Sequence, residues 1–181
     1  MGTSDDLSVI LLEQHKLISV KMNAVQISSG AERDAILADF RRYLAVHEAA
    51  EQSWMHLAGN NQAAERCACD RHRELAAVAE SMAALEALPI DSDQFDATFH
   101  VLTGQIRAHC EVEEHRELSR LHADAQEQEL KMILGALQSV PTIVAGDGDS
   151  RSTTSDFTFA EVFLAACREL EAMRTDDELF F

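Results

Sequence analysis

Two stretches of this sequence, "VHEAAEQ" and "AHCEVEEH", each place a glutamate four residues after a histidine. The pairs are His47 with Glu51 and His109 with Glu113. Residues four apart lie on one face of an α-helix, so each pair would present an imidazole and a carboxylate together. This combination suits iron, manganese or zinc, and suits magnesium or calcium poorly. The two pairs therefore predict a metal site between helices.

Both pairs interrupt apolar stripes that indicate buried helix faces. Before His109, apolar residues recur at spacings of three and four, at Phe95, Phe99, Leu102 and Ile106. A buried carboxylate without a partner is costly, so buried ions are paired, protonated or bound to metal. The stripe thus predicts that Glu113 has a cationic partner.

Four predicted helices each place one histidine on such a stripe, and two of them add a glutamate. The six candidate ligands are His15, His47, Glu51, His72, His109 and Glu113. A shared cation is the simplest way to stabilise all six, and two metals would each take two histidines and share both carboxylates. The alternative is that some helix faces are misassigned and point to water. The stripe around His72 is the least distinct, because alanines surround it.

Three further side chains are candidates for the surroundings of this site. Tyr43 lies one helical turn before His47, Trp54 lies three residues after Glu51, and Cys69 lies one turn before the third histidine. Tyr43 is the only tyrosine and would be a hydrogen-bond donor beside the metal. Ordinary core packing is the alternative for all three.

The elements that must position these residues are helices. Alanine and leucine dominate, and only 7 glycines and 2 prolines are present in 181 residues. The apolar period predicts helices over about 5–26, 31–58, 62–88 and 94–121, and further helices over about 124–140 and 159–173. Short turns join the first four. We expect an all-α fold, an up-down-up-down four-helix bundle over 1–122 with additional C-terminal helices over 123–181 and a loop at about 141–156.

Charge and hydropathy exclude several classes of partner. The formal net charge is −17, from 15 basic and 32 acidic residues, so a phosphate backbone or an anionic membrane surface would be repelled. No apolar run approaches membrane-spanning length. The acidic N-terminal stretch does not resemble a signal peptide. We therefore expect a cytoplasmic protein with reduced thiols, a monomer or homodimer that binds neither nucleic acid nor membrane.

The ordered set of histidines and glutamates resembles the hemerythrin-like, HHE cation-binding domain of bacterial proteins. The resemblance covers roughly Asp5 to Leu121 and includes "EQH" and "RHREL". It implies a non-haem di-iron centre with a bridging oxygen species, held by the same six residues. It also makes Glu48 a candidate additional ligand. Ligand type alone leaves zinc and manganese open.

The resemblance implies binding of O2 or reaction with H2O2, with catalase-like peroxide decomposition as a candidate activity and no catalytic residue assigned. Invertebrate oxygen carriers have His-x-x-x-His on the third helix, where this chain has Ala76. Their fourth helix carries His-x-x-x-x-Asp, where this chain has His109-x-x-x-Glu113. These two differences argue against reversible oxygen carriage by this protein. The alternative function is a non-enzymatic oxygen or iron sensor, or an iron store, that acts through a partner.

Overall fold

The computed structural model describes the backbone of residues 3–55, 62–146 and 157–178. Side chains at 3–5, 53–55, 62–70, 120, 122, 124, 146 and 174–178 lie outside this description. The described residues form helices joined by short turns and contain no strand, which confirms the all-α class. The helices are α1 (Thr3–Ile27), α2 (Gly30–Met55), α3 (Gln62–Glu86), α4 (Asp93–Val112), a π-helical segment (Glu113–Glu117), α5 (Leu118–Asp124), α6 (Glu127–Gly146) and α7 (Phe159–Glu178).

Short polar motifs set the helix boundaries. The Ser92 hydroxyl accepts a hydrogen bond from the Phe95 N–H at 3.1 Å and caps α4. Thr158 and Glu161 form a capping box at the start of α7, with the Thr158 N–H donating to Glu161 Oε2 at 2.9 Å. At the α1–α2 turn, Gly30 has a φ of +57°, which glycine adopts without steric cost.

The described helices share one apolar core. Helix α1 packs against α2, α4 and α6, and α3 packs against α4. Helices α6 and α7 both pack against α2, so the C-terminal segment covers the helix that carries His47 and Glu51. Leu137 and Val140 of α6 are fully buried in this core.

The fourth predicted helix contains a π-helical segment that the sequence pattern did not predict. Helix α4 continues into the π turn of Glu113–Glu117, in which the Leu118 N–H bonds the Glu113 carbonyl, and then into α5. The extended backbone of Ala125 separates α5 from α6. A π turn holds one more residue than an α turn and is frequent at functional sites.

The prediction of a loop starting at residue 141 was wrong, because α6 continues through Pro141 to Gly146. Proline cannot supply a backbone N–H and disfavours a helix interior. Here Val140 and Ile143 are buried on either side of the exposed proline. Their burial offsets one missing hydrogen bond. The rest of the predicted loop, 147–156, lies outside the described residues.

Candidate metal centre

Four side chains from three helices meet at one buried point. His15 of α1, His47 and Glu51 of α2, and Glu113 of the π-helical segment each place one ligand atom within 4.8 Å of the others. His47 Nε2 lies 3.0 Å from Glu51 Oε1, and His15 Nε2 lies 3.0 Å from Glu113 Oε2. We call this set the first half-site. Its two imidazoles and two carboxylates form a donor set that binds transition metals.

A second set adjoins the first and shares Glu51 with it. Glu48, Glu51 and His109 also place ligand atoms within 4.8 Å of one another. His109 Nε2 lies 3.5 Å from Glu48 Oε2 and 3.5 Å from Glu51 Oε2. The Glu51 Oε1 atom faces the first half-site, while Oε2 faces this second half-site. Glu51 is therefore placed as a bridging carboxylate would be.

The first half-site fits a metal ion because its ligand atoms are buried without hydrogen-bond partners. His15 Nε2, His47 Nε2, Glu51 Oε1 and Glu113 Oε2 have no hydrogen bond. The 3.0 Å contacts among them allow charge attraction but not well-directed hydrogen bonds. Unsatisfied buried polar atoms are costly, and one cation would satisfy all of them.

Each histidine of the two half-sites contacts an outer partner through Nδ1 and turns Nε2 to the centre. His15 pairs with Glu114 at 2.7 Å, His47 with Gln14 at 2.8 Å, and His109 with Glu74 at 3.0 Å. In metal sites such partners hold the ring and leave the other nitrogen free to bind. All three outer partners were missed from the sequence. Glu114 is half-buried.

The third helix presents Arg71 to the site instead of the predicted ligand His72. His72 is exposed, whereas the Arg71 guanidinium is buried among the carboxylates. It forms ion pairs with Glu113, with Glu51 at 3.4 Å and with Glu117 at 2.8 Å. It also lies 2.9 Å from His109 Nε2. The assignment of His72 fails here because neighbouring residues differ by about 100° around a helix.

Arg71 occupies the second half-site. The space left between Arg71, Glu48, Glu51 and His109 is about 10 Å³, the volume that one water molecule needs. A metal ion there would compete with the guanidinium for the same carboxylates. The two half-sites therefore differ in what they can accept.

The metal-free cluster perturbs the pKa of its members strongly. Burial alone would lower the pKa of His15, but hydrogen bonding to Cys110 and Glu51 raises it to about 11. Burial likewise opposes the charged form of His109, while Glu48 and Glu51 raise its pKa to about 10. Burial would raise the pKa of Glu51, but His47 and the other two histidines hold it well below its usual value. Metal uptake must therefore displace protons.

Of the three further residues predicted near the site, only Tyr43 has a side chain that the structure describes. Tyr43 is buried in the core, and burial raises its pKa to about 12 despite the opposing charge of His15. The side chains of Trp54 and Cys69 lie outside the described residues. His100 and His115 are exposed, as expected for histidines off the inward stripe.

A groove between α1 and α4 reaches the first half-site. It has a volume of about 370 Å³ and ends at His15, with Lys16, Arg107, Cys110 and Glu114 in its walls. Small molecules can approach the centre by this route. The charged residues that line the groove are balanced, with Lys16 and Arg107 accompanied by Glu111 and Glu114.

No family model, curated protein or solved structure that was compared with this chain matches it. None of the described helices is both long enough and apolar enough to span a membrane. The assignment of the site therefore depends on the geometry and chemistry of the side chains themselves.

Proposed function

We propose that this protein is a non-haem iron protein of the hemerythrin-like type, whose buried centre binds O2 or reacts with peroxide. The observation that carries the proposal is the agreement between two properties of the same side chains. His15, His47, Glu51 and Glu113 converge within 4.8 Å, and they also contain buried atoms without hydrogen-bond partners. A carboxylate-bridged centre within a helical bundle, held by α1, α2 and the π-helical segment, accounts for both.

The donor set favours iron over hard divalent cations. Two imidazoles and two carboxylates give fewer protein ligands than six-coordinate iron needs, so coordination positions stay open for a small molecule. Iron would supply the electron transfer on which oxygen or peroxide chemistry depends. The chain would supply the ligands, the groove that ends at His15, and an apolar core that excludes bulk water.

Because Arg71 competes with iron for the carboxylates, the two half-sites should bind iron with different affinities. Iron in the first half-site would bind Glu51 Oε1 and Glu113 Oε2, while Arg71 could keep its ion pair with the other oxygen of each carboxylate. The second half-site takes iron only when Arg71 leaves Glu51 and His109. We therefore infer that iron loads in two steps, with the first half-site filled at the lower concentration.

Anaerobic titration with Fe2+ tests this proposal. Wild-type protein should bind iron in a strong and a weaker step, and the loaded protein should react with O2 or H2O2 with a change in its visible spectrum. Glu51→Gln should abolish both steps, since Glu51 belongs to both half-sites. His100→Ala is the matched control, because His100 is an exposed histidine outside both sets. Full iron loading of Glu51→Gln would overturn the assignment.

The position of Arg71 also favours a second candidate function, that of a non-enzymatic iron or oxygen sensor. Loading of the second half-site would exchange ion pairs of α3, which packs against α4 and α7. Sustained O2 release from H2O2 by the iron-loaded protein would favour the reactive centre. Stoichiometric binding without turnover, together with altered hydrogen exchange in α3, would favour the sensor.

A further inference from the structure

Pro141 removes one backbone hydrogen bond inside α6. In a regular helix the N–H of residue 141 would donate to the carbonyl of Leu137, four residues earlier. Proline has no N–H, and its ring also crowds that carbonyl. The Leu137 carbonyl is therefore without its usual helical donor, although the residue itself is fully buried.

The side chain of Gln14, on α1, supplies the replacement donor. Its Nε2 amide group donates to the Leu137 carbonyl oxygen at 2.7 Å. The two residues are 123 positions apart in the sequence, and Gln14 is only 5% exposed. A carbonyl can only accept a hydrogen bond, so this contact fixes which end of the Gln14 amide faces α6.

The opposite end of the same amide then faces the candidate metal centre. Gln14 Oε1 lies 2.8 Å from His47 Nδ1. An amide oxygen can only accept, so the proton must be on His47 Nδ1. In the neutral ring, the lone pair is then on Nε2, which lies 3.0 Å from Glu51 Oε1 within the first half-site.

We propose that Pro141 is a positioning residue for the metal centre, acting through the Leu137 carbonyl and Gln14 on the tautomer and orientation of His47. The inference rests on the proposed function in treating His47 as a metal ligand. It assigns the C-terminal helix α6 a part in the site, although α6 contributes no ligand to either half-site. Restoring the missing N–H at position 141 would give the Leu137 carbonyl a second donor, which would compete with Gln14 and weaken its hold on the amide.

Pro141→Ala distinguishes this role from a merely structural one. The positioning role predicts weaker Fe2+ binding in a more stable protein, whereas a merely structural role predicts no loss of Fe2+ binding. Alanine should raise the melting temperature of the metal-free protein, since it improves the helix. It should nevertheless weaken Fe2+ binding several-fold, measured anaerobically by competition with a colorimetric chelator. Thr142→Ala, an exposed change at the next position, is the control and should leave Fe2+ affinity unchanged. Unchanged affinity in Pro141→Ala would overturn the proposal.

Gln14→Leu completes the test. Removing an outer partner of a metal-binding histidine typically costs 10- to 100-fold in metal affinity, so we expect a loss of about that size. The double variant Pro141→Ala/Gln14→Leu should be no weaker than Gln14→Leu alone, because both act on the same path. If the loss of Fe2+ affinity in the double variant equalled the product of the two single losses, the shared path would be contradicted.

Nitrogen-15 NMR of the histidine rings in metal-free protein distinguishes failure of this proposal from failure of the proposed function. Wild-type His47 should carry a protected proton on Nδ1, and Gln14→Leu should lose that protection. This result would support the positioning role even if wild-type protein bound no iron. Equal populations of both His47 tautomers in wild-type protein would contradict it.

Discussion

At the scale of single residues, the site is a buried cluster of carboxylates, imidazoles and one guanidinium. Arg71 neutralises part of the carboxylate charge, and protonation of His15, whose pKa is raised to about 11, neutralises more of it. A metal ion would replace protons at the histidines and compete with the guanidinium at the carboxylates. Removal of the guanidinium should therefore lower the stability of the metal-free protein but favour metal binding.

Arg71→Ala and His72→Ala should have different effects, although the residues are adjacent. Removing one partner of a buried ion pair typically costs 3–5 kcal/mol, so Arg71→Ala should lower the free energy of unfolding of metal-free protein by about 3 kcal/mol. It should also strengthen binding of the second iron, because the competing cation is gone. His72→Ala should change neither quantity appreciably, since His72 is exposed. Denaturant unfolding and iron titration check both, and loss of iron from His72→Ala alone would contradict the observed geometry.

The stability of metal-free protein should fall as the solution becomes alkaline. The pKa of His15 is about 11 in the folded protein against 6.5 when unfolded, so the folded state binds this proton more tightly. The stabilisation is fully present below pH 6.5 and is lost as the pH rises toward 11. His109, with a pKa of about 10, acts in the same direction. Unfolding measured in chelator from pH 6 to pH 11 should show a slope that flattens in His15→Gln, and an unchanged slope in that variant would refute the assignment.

At the scale of elements, helix ends and the π turn determine which side chains meet. Within the π-helical segment, Glu113 faces the centre, Glu114 contacts His15 and Glu117 contacts Arg71. The other end of the same helix is set by the Ser92 cap, far from the ligands.

Ser92→Ala should therefore affect stability without affecting the site. The Ser92 hydroxyl satisfies the Phe95 N–H, and loss of such a cap typically costs about 1 kcal/mol. The cap is separated from His109 by most of α4, a distance of roughly 25 Å at 1.5 Å per residue. Chemical denaturation should report the loss, and iron titration should report unchanged stoichiometry. A parallel loss of iron would mean that the α4 N-terminus and the centre are coupled.

At the scale of the whole molecule, the centre brings together side chains from helices that already share one apolar core. Its ligands come from α1, α2, α4 and the π-helical segment, and the C-terminal helices α6 and α7 cover α2 from outside. Because the ligands are assembled only in the folded chain, metal binding is linked to folding. The net charge of −17 adds general repulsion that a bound cation would reduce.

Metal should consequently stabilise the folded protein as a whole. Free metal at 100 times its dissociation constant adds about 2.7 kcal/mol to the free energy of unfolding. We expect Fe2+, added anaerobically, to raise the melting temperature of wild-type protein and chelator to reverse the increase. Glu51→Gln should show no increase, whereas His100→Ala should behave as wild type. An equal increase in Glu51→Gln would indicate binding elsewhere on the acidic surface.

Local spacing was enough to predict the helical class and the burial of most candidate ligands. Phe95, Phe99, Leu102 and Ile106 indicate the inward face of α4 clearly, so the burial of His109 follows from spacing alone. The same reasoning placed His15, His47, Glu51 and Glu113 correctly inside. The capping box of α7 was likewise readable, because it depends on residues three positions apart.

Only the tertiary structure decided the rest, because a shift of one residue turns a helical side chain by about 100°. Alanines around the third helix leave its phase undetermined, and the fold turns Arg71 inward and His72 outward. The spacing of the apolar residues does not predict the π turn that contains Glu114. The contact between Gln14 and Leu137 joins positions 123 residues apart. Local spacing carries no information about which distant backbone groups will meet, so that contact appears only when α6 packs against α1.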